Sequence, residues 1–243
     1  MDDVVMKRNI LNIYIGWDPH EVAAFHTLCH SILTHASKPV SITPLKQDQL
    51  RTAGLYTRTR NPMESTEFSF TRFLVPYLSG YGDYSLFLDC DMLVTGDVWD
   101  LLALAKQDKE ERAVWVVQHD YTPSTTTKFL NQTQTVYPRK NWSSVMLFRN
   151  KYCEMLTPSV VNTQSGEYLH QFQWIGQHAI GSLPKEWNWL VEEYPKNPNA
   201  KLYHWTIGGP WFRDYQYSDH ADLWFRAYAD STPSLNVPKP SGK

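Results

Sequence analysis

Tyr84-Ser85-Leu86-Phe87-Leu88-Asp89-Cys90-Asp91-Met92 is a short apolar run closed by two carboxylates. Residues 84–88 read as a buried strand that delivers Asp89 and Asp91 at its carboxyl end. In an extended chain residues two apart share a face, so the two carboxylates converge and Cys90 turns away. Adjacent carboxylates repel, and placing them after a buried strand costs desolvation unless a cation or a hydrogen-bond network neutralises them. A hard divalent cation meets that need, since it takes oxygen ligands and completes its shell with phosphates and water. Ligands of open α/β sheets also sit beyond the carboxyl ends of strands. An isolated Asp-x-Asp is equally a solvated turn, so the rest of the chain has to decide.

Upstream, residues 9–17 read as a mostly buried first strand. Asp18-Pro19-His20-Glu21 then start a helix, with Asp18 as N-cap, Pro19 at the first position and Glu21 closing a capping box. Val22, Phe25, Cys29, Ile32 and Ala36 form one apolar stripe at helical spacing. A second strand is expected over 39–45, which makes the opening β-α-β and the sheet parallel. Residues 46–65 are polar, carry Arg51, Arg58, Arg60 and the breaker Asn61-Pro62, and read as a loop or short helices. A helix is expected from Ser65 with Phe70, Phe73, Leu74, Tyr77 and Leu78 on one face, ending at Ser79-Gly80-Tyr81-Gly82. Further strands are expected over 113–118 and 145–148. The tail 232–243 holds Pro233, Pro238, Pro240 and Gly242 and reads as flexible. The expectation is one α/β domain over 1–231, without repeat or linker.

The 243 residues are 42% hydrophobic and 20% charged, enough apolar content for a full core. A net charge of −2 gives no electrostatic case for nucleic acid or an anionic membrane surface. No stretch approaches the roughly 18 apolar residues of a transmembrane segment, and the acidic start Met1-Asp2-Asp3 is unlike a secretory signal. Cys29, Cys90 and Cys153 are not at zinc spacing and suit a reducing cytoplasm, the expected location. Trp174, Trp187, Trp189, Trp205, Trp211 and Trp224 crowd the last part of the chain, as core or as a carbohydrate platform.

The second half changes the odds for the carboxylate pair. Tyr203-His204-Trp205-Thr206-Ile207-Gly208-Gly209-Pro210-Trp211 offers an imidazole, then a diglycine whose N–H groups can approach phosphate oxygens. An imidazole beside two carboxylates favours Mn2+ over Ca2+, with Mg2+ an option. By itself His204 also reads as a satisfied strand histidine.

In their order, Asp89-Cys90-Asp91 after an apolar strand, Asn141-Trp142-Ser143-Ser144-Val145, and the late His204-Trp205 with Gly208-Gly209-Pro210-Trp211 resemble glycosyltransferase family 8 and its bacterial relatives. The resemblance covers most of residues 10–212. It implies a GT-A fold, Rossmann-like with a mainly parallel central sheet, and a hexosyltransferase that uses a UDP-sugar donor and Mn2+ with retention of configuration. It makes Asp89 and Asp91 the metal pair and His204 the third ligand. Gly16, Trp17 and Asp18 fall where the family holds uracil and ribose, and Asp18 can do this while capping the helix. Arg72 matches an arginine whose fork reaches phosphate or sugar hydroxyls, with an ion pair as the competing role. Asn141 and Ser143 lie where the family touches the donor sugar, although Trp142 and the serines depart from its Asn-Ala-Gly. His170-Gln171 resembles an Asp-Gln pair beneath the anomeric carbon, with Gln173 a competitor; Gln171 and Asp120 are the side chains expected at the reacting sugar. Gly208 and Gly209 are expected at the diphosphate. Gly209 replaces a lysine of the family, and Lys46, Arg72, Lys128, Arg139 and Lys140 are the cations able to stand in for it.

Other readings stay open. An inverting GT-A transferase needs a general base, for which Asp120, Glu192 or Asp214 could serve. A non-catalytic carbohydrate-binding module would hold Ca2+ on the aspartates and stack sugar on tryptophan. A nucleotidyltransferase would use a nucleoside triphosphate, but the chain has no Gly-rich P-loop. The acceptor is expected to be a saccharide or other hydroxyl, and the residues do not specify the oligomeric state.

Overall fold

A computed structural model of the protein describes residues 10–60, 66–123, 125 and 138–232. Asn9, Asn61-Pro62, Ser65, Lys128 and the tail from 233 therefore lie outside the described residues. In chain order the elements are β1 (Leu11–Gly16), α1 (Val22–His35), β2 (Val40–Leu45), α2 (Gln47–Thr52), α3 (Val75–Leu78), β3 (Tyr84–Leu88), β4 (Met92–Val94), α4 (Trp99–Gln107), β5 (Val114–Val116), β6 (Val145–Arg149), α5 (Pro158–Thr163), α6 (Gly166–His170), β7 (Ile180–Ser182), β8 (Trp189–Leu190), β9 (Leu202–His204) and α7 (Ala221–Ser231).

The apolar runs at 11–16 and 84–88 become neighbouring parallel strands buried in the sheet, and α1 supplies the crossover from β1 to β2. β1 also pairs in parallel with β2, as expected. The central sheet has the order β2-β1-β3-β6-β5-β7. β6 runs antiparallel to β3 and β5, and β5 pairs in parallel with β7, so one strand opposes an otherwise parallel sheet. A smaller sheet, β4-β9-β8, stands beside it. The chain passes from β3 in the large sheet to β4 in the small one through Asp89, Cys90 and Asp91. The order of elements is that of an α/β fold.

Three local expectations are corrected. Asp18 does not cap α1: the helix begins at Val22 with Glu21 in the N-cap position and no side-chain cap. Asp18 Oδ1 instead accepts from the His20 N–H at 2.9 Å and contacts His20 Nδ1 at 2.8 Å, and Oδ2 accepts from the Glu67 N–H at 3.2 Å. The buried face of α1 is Ala24, Phe25, Thr27, Leu28, Ser31 and Ile32: Phe25 and Ile32 of the expected stripe are buried, Cys29 and Ala36 pack partly buried against the core, and Val22 is exposed. Thr27 and Ser31 donate to the carbonyls of Ala23 and Leu28, so these hydroxyls enter the core satisfied and hydropathy spacing misses them. The single helix expected from Ser65 is a 3-10 turn at Thr71–Leu74 followed by α3. Pro76 lacks an N–H and clashes with the carbonyl four residues before it, which prevents one continuous helix.

Trp174, Trp187, Trp205 and Trp224 are buried, so most of the late tryptophans serve as core. All three cysteines are free, with Cys90 and Cys153 buried. No helix among the described residues is long and apolar enough to cross a membrane.

Candidate metal centre

Asp89, Asp91 and His204 each place one ligand atom within 4.8 Å of the other two. Backbone register produces this. The Asp89 N–H donates to the Ser144 carbonyl at 3.0 Å, extending the β3–β6 ladder by one residue. Beyond it, Asp89-Cys90-Asp91 bends instead of continuing as a strand, and the chain re-enters the small sheet with Met92 opposite His204. The Trp205 N–H then donates to the Asp91 carbonyl at 3.0 Å. The convergence expected of an extended chain is thus achieved by a bend between two sheets. Only 9%, 7% and 1% of Asp89, Asp91 and His204 is exposed, so bulk water does little to screen the pair.

Two carboxylate oxygens and an imidazole nitrogen suit a hard-to-borderline divalent ion such as Mn2+ or Mg2+. Cys90 adds no soft ligand: burial, then Glu21 and the aspartates, push its thiol well up, and it donates to Glu21 Oε2 at 3.5 Å. Glu21 is the carboxyl whose place the sequence does not reveal. Only 1% exposed, it lies behind the pair, where burial first, then Asp91, Asp18 and Asp89, raise its pKa well above the ordinary value. Burial there disfavours the charged form of this third carboxyl.

Arg72 faces the protein instead of an open phosphate position. Its Nη1 lies 2.9 Å from Asp89 Oδ1 and donates to the Ser143 carbonyl at 2.8 Å, while Nε donates to the Phe68 carbonyl at 3.2 Å. Its guanidinium sits over the Phe68 and Phe87 rings at 5.3 and 5.0 Å. Ser143 Oγ is 2.8 Å from Nδ1 of His170, which is packed against Phe70 and Phe73.

Gly16, Trp17 and Asp18 follow the end of β1, and Ile15 pairs with Leu88, so Gly16 is level with Asp89. A Cβ on Gly16 would meet the Phe68 ring at 2.3 Å, which explains the glycine by packing. Lys46 Nζ lies 5.5 Å above the Trp17 ring. Asn141 is left-handed (φ 60), and its Nδ2 donates to Tyr121 Oη at 2.7 Å and Thr206 Oγ1 at 3.4 Å. The Gly208 N–H, expected at a phosphate, donates to the Trp205 carbonyl at 3.0 Å. The diglycine has a packing reason as well, since Cβ atoms would meet Tyr215 at 2.8 Å and Trp211 at 2.1 Å. Arg139 donates to the Gln171 carbonyl and to Gln177, Lys140 is buried, and Asp120 is exposed beyond β5. The structure therefore gathers Asp89, Asp91, His204, Arg72 and Ser143 directly and Asn141 through its neighbours. Gln171 ends α6 and Asp120 lies past β5, and neither belongs to the cluster of Asp89, Asp91 and His204.

No family model matches the chain. "Protein CDI" of Arabidopsis thaliana is 46% identical over 228 residues, covering 90% of this chain and 86% of that protein. The chain belongs to the Protein CDI family. Among solved structures it resembles the glycosyltransferase GlyE of Streptococcus pneumoniae, with a TM-score of 0.58 and 16% identity. That match covers 90% of this chain, which spans 60% of GlyE's length. It also resembles the galactosyltransferase LgtC, with a TM-score of 0.57 and 12% identity over 93% of this chain and 98% of that one. At such identities the likeness establishes the fold, which is that of the GT-A glycosyltransferases.

Burial also sets a pH response. It holds the imidazoles of His119, helped by His204 and Lys185, and of His170, helped by Arg72, at about 3 against an ordinary 6.5. As pH falls through 6.5 the unfolded chain takes up both protons, whereas the folded chain waits until about 3. This contribution is complete above the unfolded value and is lost as pH falls from there toward the folded one. Urea unfolding midpoints should drop on acidification from neutral pH, and His170→Gln should flatten the slope by about 1.4 kcal/mol per pH unit.

Proposed function

We propose that the chain is a metal-dependent glycosyltransferase that moves a hexose from a UDP-sugar to a hydroxyl acceptor with retention of configuration. The observation that carries this reading is the approach of Asp89, Asp91 and His204 to within 4.8 Å at the carboxyl end of β3 in a GT-A fold. LgtC, of the same fold, has been crystallised with donor and acceptor sugar analogs, which supports the donor class.

In this reading Asp89, Asp91 and His204 hold Mn2+, or Mg2+ in its place. When bound, the ion supplies Lewis-acid stabilisation of the charge on the departing diphosphate. Arg72 fixes the direction of Asp89 through its ion pair and its bonds to Phe68 and Ser143. Gly16, Trp17 and Asp18 border the nucleoside, Asn141 and Ser143 the donor sugar, and Gly208-Gly209 the diphosphate side. Gln171 and Asp120 flank the reacting carbon, where the acceptor hydroxyl attacks from the face the nucleotide leaves. The three free thiols fit a cytoplasmic setting.

A hydrolysis screen over UDP-glucose, UDP-galactose and their N-acetyl forms tests the reading. Release of UDP with Mn2+ and none with chelator is expected for at least one donor, and the proton coupling constant of the transferred sugar should report retention. Silence across the panel together with tight Ca2+ binding would overturn the enzyme assignment in favour of a sugar-binding module.

A further inference from the structure

A run of hydrogen bonds that starts at a backbone carbonyl decides which nitrogen of His204 carries the proton. The Asn141 carbonyl oxygen accepts from Ser144 Oγ at 2.7 Å. A carbonyl only accepts, so the single hydroxyl hydrogen of Ser144 points there and Ser144 offers Asn188 only lone pairs. The end of the Asn188 amide that lies 2.8 Å from Ser144 Oγ must then be the NH2, which also lies 3.4 Å from the Asn141 carbonyl. That places Asn188 Oδ1 against His204, 2.9 Å from Nδ1. Oδ1 also only accepts, so Nδ1 carries a hydrogen and, in the neutral ring, Nε2 keeps its lone pair, 3.2 Å from Asp91 Oδ1. Two acceptor atoms at that distance repel, and a cation ligated by both removes the repulsion.

The opposite amide orientation fails on the same grounds. It would turn Oδ1 toward the Asn141 carbonyl and present NH2 to Nδ1, moving the imidazole hydrogen to Nε2, where an ion would have to bind. Ser144, Asn188 and His204 are at most 1% exposed, so bulk water cannot replace a lost partner. The backbone supports the arrangement: Asn188 ends the 3-10 turn Lys185–Asn188 just before β8, whose Leu190 pairs with His204 in β9.

We propose that Asn188 is a positioning residue that locks His204 in the metal-binding tautomer and ties that ligand to the Asn141 turn. The inference rests on reading Asp89, Asp91 and His204 as a metal centre, and its test separates the two. In metal-free protein at alkaline pH, long-range 1H–15N NMR of the imidazoles, with His204 assigned by its loss in His204→Gln, should show His204 protonated at Nδ1. Asn188→Leu should yield a mixture or the Nε2–H form and weaken Mn2+ binding, measured by calorimetry, by about 10–100-fold. Ser144→Ala frees the amide to rotate and should also admit the Nε2–H form, which keeps the test open if the Leu variant does not fold. An Nε2–H tautomer in the wild type, or an unchanged tautomer in both Asn188→Leu and Ser144→Ala, would overturn the proposal. The Nδ1–H tautomer in a wild type that binds no Mn2+ would uphold the lock and remove the metal reading instead.

Discussion

Asp91→Asn is expected to lower Mn2+-dependent UDP-sugar turnover by more than about 100-fold, beyond the loss typical of a residue behind the metal ligands, while the protein stays folded. The amide fills the same space, and the Asp91 carbonyl keeps its bond from the Trp205 N–H. What disappears is one negative charge from a crowded place, with Asp89, Asp18 and Glu21 close by. Without metal that charge is a source of repulsion, so the melting temperature in chelator should hold or rise. This is the stability–activity conflict expected of a functional cluster. A large fall in that melting temperature would mean that Asp91 serves the fold.

Arg72→Ala is expected to cause the largest loss of stability of any change at the site, about 3–5 kcal/mol by urea unfolding, as for other buried ion pairs that lose one partner. Arg72 and Asp89 side chains are only 7% and 13% exposed. The substitution leaves the Asp89 carboxylate without this guanidinium, removes donors from the Ser143 and Phe68 carbonyls, and opens space between two phenylalanine rings. Arg72→Lys should recover little of it, because one ammonium cannot bridge a carboxylate and two carbonyls set around a planar fork. Loss of less than about 1 kcal/mol, the scale of an exposed pair, would contradict this account.

What the sequence shows and hides follows a physical division. β1, β3 and the placing of two carboxylates at a strand end were legible because both strands are short apolar runs bounded by polar residues. The parallel start of the sheet followed from the helix between β1 and β2. The antiparallel β6 and the separate β4-β9-β8 sheet were not legible, since strand direction there depends on contacts between distant segments. At the site, His204 stood out as the imidazole ahead of the diglycine, and its role as third ligand came from its likeness to a family pattern. Asn188 and Glu21 stayed hidden for another reason. Tertiary packing buries both: no local spacing marks Asn188, and the spacing that marks Glu21 pointed to a capping box instead of the metal cluster. Asp18 misled for the converse reason: it has the chemistry of a helix cap, but the structure uses its carboxylate to hold the Glu67 segment against the end of β1.

Titration of Mn2+ into chelator-stripped protein, with and without UDP, tests the central claim most directly. One Mn2+ per chain is expected, bound more tightly when UDP adds phosphate oxygens to its shell, and lost in Asp91→Asn. Mn2+ binding that ignores UDP and survives Asp91→Asn would contradict the assignment of Asp89, Asp91 and His204.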